Sequence, residues 1–573
     1  MLFLFADLGS VFAQVPIQPT LPQKTVSLTL PAQGTSTCPT LTTGSNCIRN
    51  VPAGDDTSLQ KAINAATCGD TIVLAAGSTY SGNFTIPSTS CSGWIEIVSS
   101  ALSSLPSPGV RVSPANASNM PNISTPNTSA AFQFLPNSNH WRLMGLEITT
   151  SYVSTTNCVY YLVATGETVS EQSQLPAYLI FDRIYVHGLS TTNTQHGIGM
   201  DAQSVGIVDS YCDGIHHNGA DSQCFFAYNG SGPFLIQNNF IQAAGENIMF
   251  GGADPSITNL VPSDITIVGN LVQKDLAWRR QAAPYNWVVK NLFELKNAQR
   301  LLLDGNVFQD TWAAGQSVAL IMRSVNQSGA CPQCVVQDIT VTHNIIQHAP
   351  LGIALAAYNA PYIAVPTGRV LIQNNLFNDI SSTNWGGRGW LFQLSSDPTF
   401  IPHDWIIDHN TGFEDQSGAY LGDRGTINNL QFTNNIFNYG SAGIRGNGVG
   451  SALEALKTFA SGYTYNDMVF INSTRNAMGT FPARTHWNTV TGVEFTTISG
   501  TSPNYSGNFQ LTNSSPYYHA GTDGKDIGLW DWNCLNNDST AAVAGKFVPG
   551  PGCALSGDLL LPQPPTELSF EVH

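Results

Sequence analysis

Three short stretches decide how this chain folds: Ile236-Gln237-Asn238-Asn239-Phe240, Ile267-Val268-Gly269-Asn270-Leu271 and Leu303-Asp304-Gly305-Asn306-Val307. The same line returns at Val341-Thr342-His343-Asn344-Ile345, Ile372-Gln373-Asn374-Asn375-Leu376, Ile407-Asp408-His409-Asn410 and Phe432-Thr433-Asn434-Asn435-Ile436, with weaker copies earlier around Gly145, Arg183 and Asp209. From Gly145 to Asn435 the key position recurs every 25 to 38 residues. One structural unit carrying loops of unequal length produces such a spread, and a repeat of this period is the mark of a solenoid. Asparagine suits the turn because it tolerates left-handed backbone and its side chain bonds nearby main chain. Stacked coils then predict a ladder in which each Asn amide bonds the Asn of the next coil. A β-sandwich or propeller also has short, evenly spaced strands, but neither accounts for one Asn per period.

Composition agrees with a coil of strands. Hydrophobic residues make up 42% and charged residues only 10%, with 52 Gly and 32 Pro; helices would draw far more on Glu, Lys, Ala and Leu. All 573 residues can belong to one body, since a solenoid grows by adding coils. A formal charge of −16 sets nucleic acid aside as a partner, because phosphate recognition needs Lys and Arg in excess. No uninterrupted apolar stretch is long enough for a membrane span. A monomer is expected.

Ahead of the repeats, residues 51–66 read as a loop and a short helix near 57–66, capped by Asp56 or Thr57, with Leu59, Ala62, Ile63 and Ala66 in one apolar stripe. Laid across an open solenoid end, such a helix hides both core and strand edge. Cys68-Gly69-Asp70-Thr71-Ile72-Val73-Leu74 and Gly82-Asn83-Phe84-Thr85-Ile86 then supply the first strands. This LQxAIxxA helix and GDTIxL strand resemble the N-terminal cap and first turn of the pectate-lyase-like, right-handed parallel β-helix proteins. The resemblance runs from Val51 to Trp532, and Gly521-Thr522-Asp523-Gly524-Lys525-Asp526-Ile527-Gly528 is similar to the closing turn that many of them carry. It implies an all-β fold, a single-domain right-handed parallel β-helix with an N-terminal capping helix. For activity it is silent, since that fold hosts lyases, hydrolases, epimerases and non-enzymatic proteins.

The expected organisation is a signal peptide at 1–13, an extension at 14–48, the β-helix at 49–532 and a C-terminal tail at 533–573. Val11-Phe12-Ala13 fits signal cleavage after Ala13, although no basic residue precedes the apolar run. Export, to the medium, the cell surface or the periplasm, accords with 11 cysteines that fall into near neighbours: Cys38/Cys47, Cys68/Cys91, Cys212/Cys224, Cys331/Cys334 and Cys534/Cys553, with Cys158 left over. Cys331-Pro332-Gln333-Cys334 lacks the second half of a zinc site and reads as a disulfide or two thiols. Residues 451–460 read as a short helix.

Between the Asn lines lies a second family of strands, 198–202, 224–228, 247–251, 292–296, 318–323, 353–358, 391–395 and 420–423, read as one parallel sheet. With Phe293 and Leu295 inside, alternation sets Glu294 and Lys296 on the outer face; with Leu320 and Met322 inside, Arg323 stands one coil along and level with Lys296. Seven basic residues, Lys274, Arg279, Arg280, Lys290, Lys296, Arg300 and Arg323, gather within 50 residues of an otherwise acidic chain, and such clustering marks where an anionic ligand lies. An exposed sheet carries some charge whatever it does, so simple pairing on a solvated face is the competing reading. Nearby coils add Asp221, Glu246 and His216.

Two chemistries suit this set. Glycoside hydrolysis needs a carboxylic acid and a carboxylate; elimination at a uronate needs cations against the sugar carboxylate, a base and a proton donor. The candidate catalytic residues are Glu294, Lys296, Arg323, Glu246, Asp221 and His216, with Lys290, Trp278, Arg279, Tyr228 and Gln393 binding substrate. The partner is a polysaccharide, acidic and uronate-containing if the cations serve it. Neither the Asn-Thr-Asp, Asp-Asp, Gly-His-Gly and Arg-Ile-Lys series of polygalacturonase-like hydrolases nor the Asp-rich calcium cluster of pectate-lyase-type enzymes is present. No cofactor is assigned and calcium stays open. The alternative is a non-catalytic glycan-binding or surface-structural β-helix. Trp278, Trp287, Trp312, Trp385 and Trp390 flank the sheet, where they stack on sugar rings or pack under loops.

Overall fold

The computed structural model describes residues 15–29, 32–154, 156–280, 286–359, 361–423, 425–450, 452–472 and 481–547. The expected signal peptide and most of the tail lie outside them. Three long parallel sheets, of 16, 12 and 14 strands among the described residues, run the length of the molecule. Each coil gives one strand to each sheet: Ser263–Val268, Leu271–Gln273 and Phe293–Leu295 belong to the 16-, 14- and 12-stranded sheets, and the next coil pairs with them through Ala298–Asp304, Val307–Gln309 and Leu320–Val325. Parallel neighbours joined by crossovers wind right-handed. The chain is a right-handed parallel β-helix.

The Asn row exists as expected. Asn239 N–H and Nδ2 both donate to Asn270 Oδ1, at 2.8 and 3.0 Å. Asn270 does the same to Asn306, and the pattern passes through Asn344, Asn375 and Asn410 to Asn435. All seven are fully buried, so every amide needs its partner. The left-handed residue is not the ladder Asn but the one before it: Asn238, Gly269, Gly305, His343, Asn374, His409 and Asn434 have φ between 50° and 63°. Turn and ladder are separate jobs held by adjacent residues.

The N-terminal end is closed, and the chain beyond the coil covers one side of it. The cap helix is Asp56–Ala65 and covers the first coil with Leu59, Ala62 and Ile63 buried and Ala66 packed beside them. Its N-cap is Asp55, one residue earlier than expected, whose Oδ1 accepts from Ser58 N at 2.9 Å. The last parallel strand of the coil is Thr485–Asn488, well short of residue 532. Beyond it an antiparallel hairpin, Phe495–Thr501 with Asn504–Leu511, and a helix, Trp532–Ala544, fold back over the 14-stranded sheet, burying Leu376, Phe413, Ile436 and Val469 under Phe509 and Leu535, and Phe240, Leu271 and Val307 under Ala542. The segment set apart as a tail therefore begins as packed structure. Residues 452–459 are helical.

Four of the expected disulfides are formed, Cys38–Cys47, Cys68–Cys91, Cys212–Cys224 and Cys331–Cys334, and Cys158 is unpaired. Cys534 is also disulfide-bonded, and Cys553 lies outside the described residues. Such cross-links belong to an oxidising compartment. No described helix is long and apolar enough to cross a membrane. The N-terminal segment 15–29 runs along the outside of the 16-stranded sheet. With two faces covered, the 12-stranded sheet keeps a groove.

Candidate functional site

The groove follows from alternation on the 12-stranded sheet. Phe293, Leu295, Leu320 and Met322 enter the core, so their neighbours line up outside: Phe226, Met249, Glu294, Ile321, Ala354, Gln393, Tyr420 and Arg445 form one row across successive coils. The first strand expected here, at 198–202, is shifted to Thr194–Gly199, and Met200 and Ala202 beyond its end are buried in the core. A groove of about 910 Å³ lies over the later coils, lined by Gln316, Ile321, Arg323, Arg388, Gln393 and Asp397 among others.

At one end of that groove the charged residues converge. Lys296 Nζ and Arg323 Nη2 sit 3.6 and 3.2 Å from the same oxygen, Glu294 Oε1. Asn291 Nδ2 donates to Glu294 Oε2 at 2.9 Å and to Gln316 Oε1 at 2.5 Å. Lys290 Nζ bridges Asp221 Oδ2 at 2.5 Å and Glu246 Oε1 at 3.4 Å, and Gln223 Nε2 donates to Glu246 Oε2 at 2.6 Å. Below them Lys274 is buried, its ammonium donating to Ala243 O, Gly245 O, Asn247 Oδ1 and Asn291 O. It ties the floor of the site together.

This packing separates the two glutamates. Burial first, and then the nearby Glu294 and Asp221 carboxylates, push Glu246 up. Burial also works against charge on Glu294, yet Lys296 and Arg323 outweigh it and hold that carboxyl below the usual range. Partial burial works against charge on Lys290, but Glu246 and Asp221 outweigh it and keep its ammonium charged to higher pH than usual. Lys274 goes the other way: burial drives it well below the ordinary ammonium range. A site with one carboxyl biased toward the acid and its neighbour toward the anion can hold and move protons.

Of the expected residues, the structure brings together Glu294, Lys296, Arg323, Glu246, Asp221 and Lys290, and places Gln393 three coils along the same row. It does not bring His216 into that set. The His216 ring stacks on Trp287 at 3.6 Å with Trp278 at its edge, and burial lowers its pKa to about 4. Trp278, Trp287 and Trp312 pack with Ala244 and Val289 beneath the loops. Arg279 lies over Trp385, 4.8 Å from the ring centre. Tyr228 turns elsewhere, its hydroxyl donating to Glu167 O, while Trp390 stacks on Tyr420 at 4.3 Å on the groove floor. Arg300 leaves the basic cluster for Asp264 on another face. Sequence reasoning misses Gln223, Asn291, Gln316 and Lys274: Gln223 and Asn291 share the parity of the inward Phe225 and Phe293, and Lys274 reaches the site only by burial.

Calcium does not fit this set as it stands, because each carboxylate is already matched by a cation. Among the described residues the ligand groupings close enough for a metal are Cys38, Cys47 and Asp70, and His343, Asp531 and Cys534, and their cysteines are in disulfides.

No family model and no curated protein matches this sequence. Solved structures do: the PL6 family alginate lyase AlyGC, with 11% identity, TM-score 0.44 and coverage of 84% of this chain; a mannuronic acid specific polysaccharide family 6 lyase from human gut microbiota, with 12% identity, TM-score 0.41 and coverage of 77% of this chain and 91% of that one; and a Yersinia enterocolitica family 28 exopolygalacturonase, with 12% identity, TM-score 0.35 and coverage of 77% and 78%. The chain spans 58% of the length of AlyGC. Likeness at this level is one of coiled architecture, and the chemistry rests on this chain's own side chains.

Proposed function

We propose that this chain is an exported enzyme that binds an acidic, uronate-containing polysaccharide in the groove and cleaves it by β-elimination. What carries the reading is the division of exposure within the cluster. The Glu246 and Glu294 side chains have no exposed surface, whereas Lys290, Arg323 and Asp221 retain 19%, 25% and 38%. Hydrolysis asks for two carboxyl groups that reach either side of the glycosidic bond, and here both glutamates are sealed beneath cations. Elimination asks instead for cations at the surface. Arg323 and Lys296, fixed by Glu294, neutralise the sugar carboxylate and the charge that grows on it as the C5 proton leaves. Asp221 takes that proton, and its partner Lys290 supplies one to the departing glycosidic oxygen. Glu246 and Lys274 hold the pair in place.

Incubation with alginate and with polygalacturonate tests this. The expected result is rising ultraviolet absorbance from unsaturated uronate ends, lost in Arg323→Ala and Asp221→Asn. New reducing ends without that chromophore would mean hydrolysis, and tight binding with no cleavage would make the chain a glycan-binding β-helix.

A further inference from the structure

The covered face of the 16-stranded sheet is built as carefully as the groove. Its strands carry one left-handed residue per coil, and over five successive coils these are Asp264, Arg300, Asp338, Arg369 and Asp404, with φ between 49° and 61°. Acid and base alternate. Arg300 Nε and Nη2 approach Asp264 Oδ1 and Oδ2 at 2.7 and 3.1 Å, and Arg369 repeats the grip on Asp338 at 2.6 and 2.7 Å. His403 and Asn429 hold Asp404 in the same way, at 2.7 and 2.9 Å. Each aspartate is thereby oriented, with Oδ1 placed to accept one more bond.

The N-terminal segment supplies it. Ile17 N–H donates to Asp404 Oδ1 at 3.0 Å, Thr20 N–H to Asp338 Oδ1 at 3.0 Å and Gln23 N–H to Asp264 Oδ1 at 2.8 Å. Every donor follows a proline, and Pro16, Pro19 and Pro22 are buried against the sheet while Ile17, Thr20 and Gln23 are exposed. A strand would repeat its faces every second residue; a repeat of three is that of a polyproline II helix. The lengths agree as well. Three residues of polyproline II advance about 9.3 Å, and two coils of a β-helix advance about 9.6 Å, which is why the carboxylates are wanted on alternate coils. Farther along, Val26 lies over Gly206, where a Cβ would come 3.2 Å from Val26 Cγ1, and Leu28 O accepts from Arg142 Nη1 at 3.3 Å.

We propose that this face is a receptor for polyproline II peptides of the form Pro-x-x-Pro-x-x-Pro, filled in cis by residues 15–28. Its recognition rule is one carboxylate on every second coil meeting the amide that follows each proline. The contacts belong to the peptide and not to its covalent attachment, so the site takes the same peptide in trans.

A full-length variant with Pro16→Gly, Pro19→Gly and Pro22→Gly vacates the face. A fluorescent peptide of residues 15–28 then binds that variant, and binds the unaltered protein about tenfold more weakly because the cis segment competes. The peptide with one alanine inserted after Gln18 loses register and binds the vacated face about tenfold more weakly, as does the parent peptide when Asp338→Ala is added. Equal binding of the in-register and shifted peptides overturns the proposal, as does failure of either to bind. Hydrogen exchange on the otherwise unaltered chain carrying Asp338→Ala does not depend on that variant's folding. Thr20 N–H should exchange at least about tenfold faster while remote core amides hold, and an unchanged Thr20 rate overturns the proposal.

Discussion

Along the asparagine row each coil repeats the one before it: seven buried amides are joined by six links, each donating to the next. Along the row through Glu294, on the same coils, no two neighbours agree: Phe226, Met249, Glu294, Ile321, Ala354, Gln393, Tyr420, Arg445. The contrast follows from what each residue must bond to. An inward Asn has its own copy as partner, so a change in one coil strands two others. An outward residue faces solvent or ligand, and is free to differ. Repetition marks scaffold and its interruption marks function.

Substitutions put that contrast to the test. The largest loss is expected for Asn306→Ala, which removes the acceptor of Asn270 N–H and Nδ2 and the donor to Ile267 O; about 3–4 kcal/mol of stability should go, read from denaturant unfolding. A loss below about 1 kcal/mol would mean the row relaxes around the gap. Glu294→Ala should cost less, about 2–3 kcal/mol, because Lys296 and Arg323 lose their carboxylate but reach solvent in part; it should also abolish uronate cleavage, whereas the ladder variant keeps activity wherever it is folded.

A third test uses pH. Burial pushes the Asp201 carboxyl, beneath the early coils of the groove face, up to about 7 from 3.8. The folded protein thus keeps a proton that the unfolded chain releases near 3.8, so stability falls as pH rises between those values and stays low above them. Asp201→Asn, which preserves the acceptor for Tyr228 and Asn229 N–H, should flatten that fall in urea midpoints measured across the window. The Asn row has no titrating group, so the Asn306→Ala loss should be the same at both ends. The smallest stability change is expected for Arg323→Lys, within about 0.5 kcal/mol at this part-exposed position, while elimination slows about tenfold or more because an ammonium cannot present the guanidinium's paired donors to a carboxylate.

The scaffold was legible because its rule is written many times. One Asn per period fixed the coil, and alternation around Phe293 and Leu295 was enough to put Glu294, Lys296 and Arg323 together. The left-handed position was misplaced by one because Asn-Asn and Gly-Asn pairs leave both residues eligible. Burial was not legible: Glu294 reads as a surface charge, yet with Lys296, Arg323 and Asn291 against its carboxylate it has no exposed surface. His216 and Tyr228 were drawn in by nearness in the chain, yet their coils turn them toward Trp287 and Glu167. The prolines of 15–28 show their period plainly, but the carboxylates that read it are spread over five coils and have no local pattern.

The ladder ends where Asn435 Nδ2 meets the Met468 sulfur at 3.3 Å in place of another amide oxygen. Between Ser210 and that stop every rung is interchangeable, so whole windings can be spliced in or out, and nothing smaller can. Reach along the wall is therefore quantised in steps of about 4.8 Å, and any lineage or design that alters how much polymer the molecule spans must do so one rung at a time.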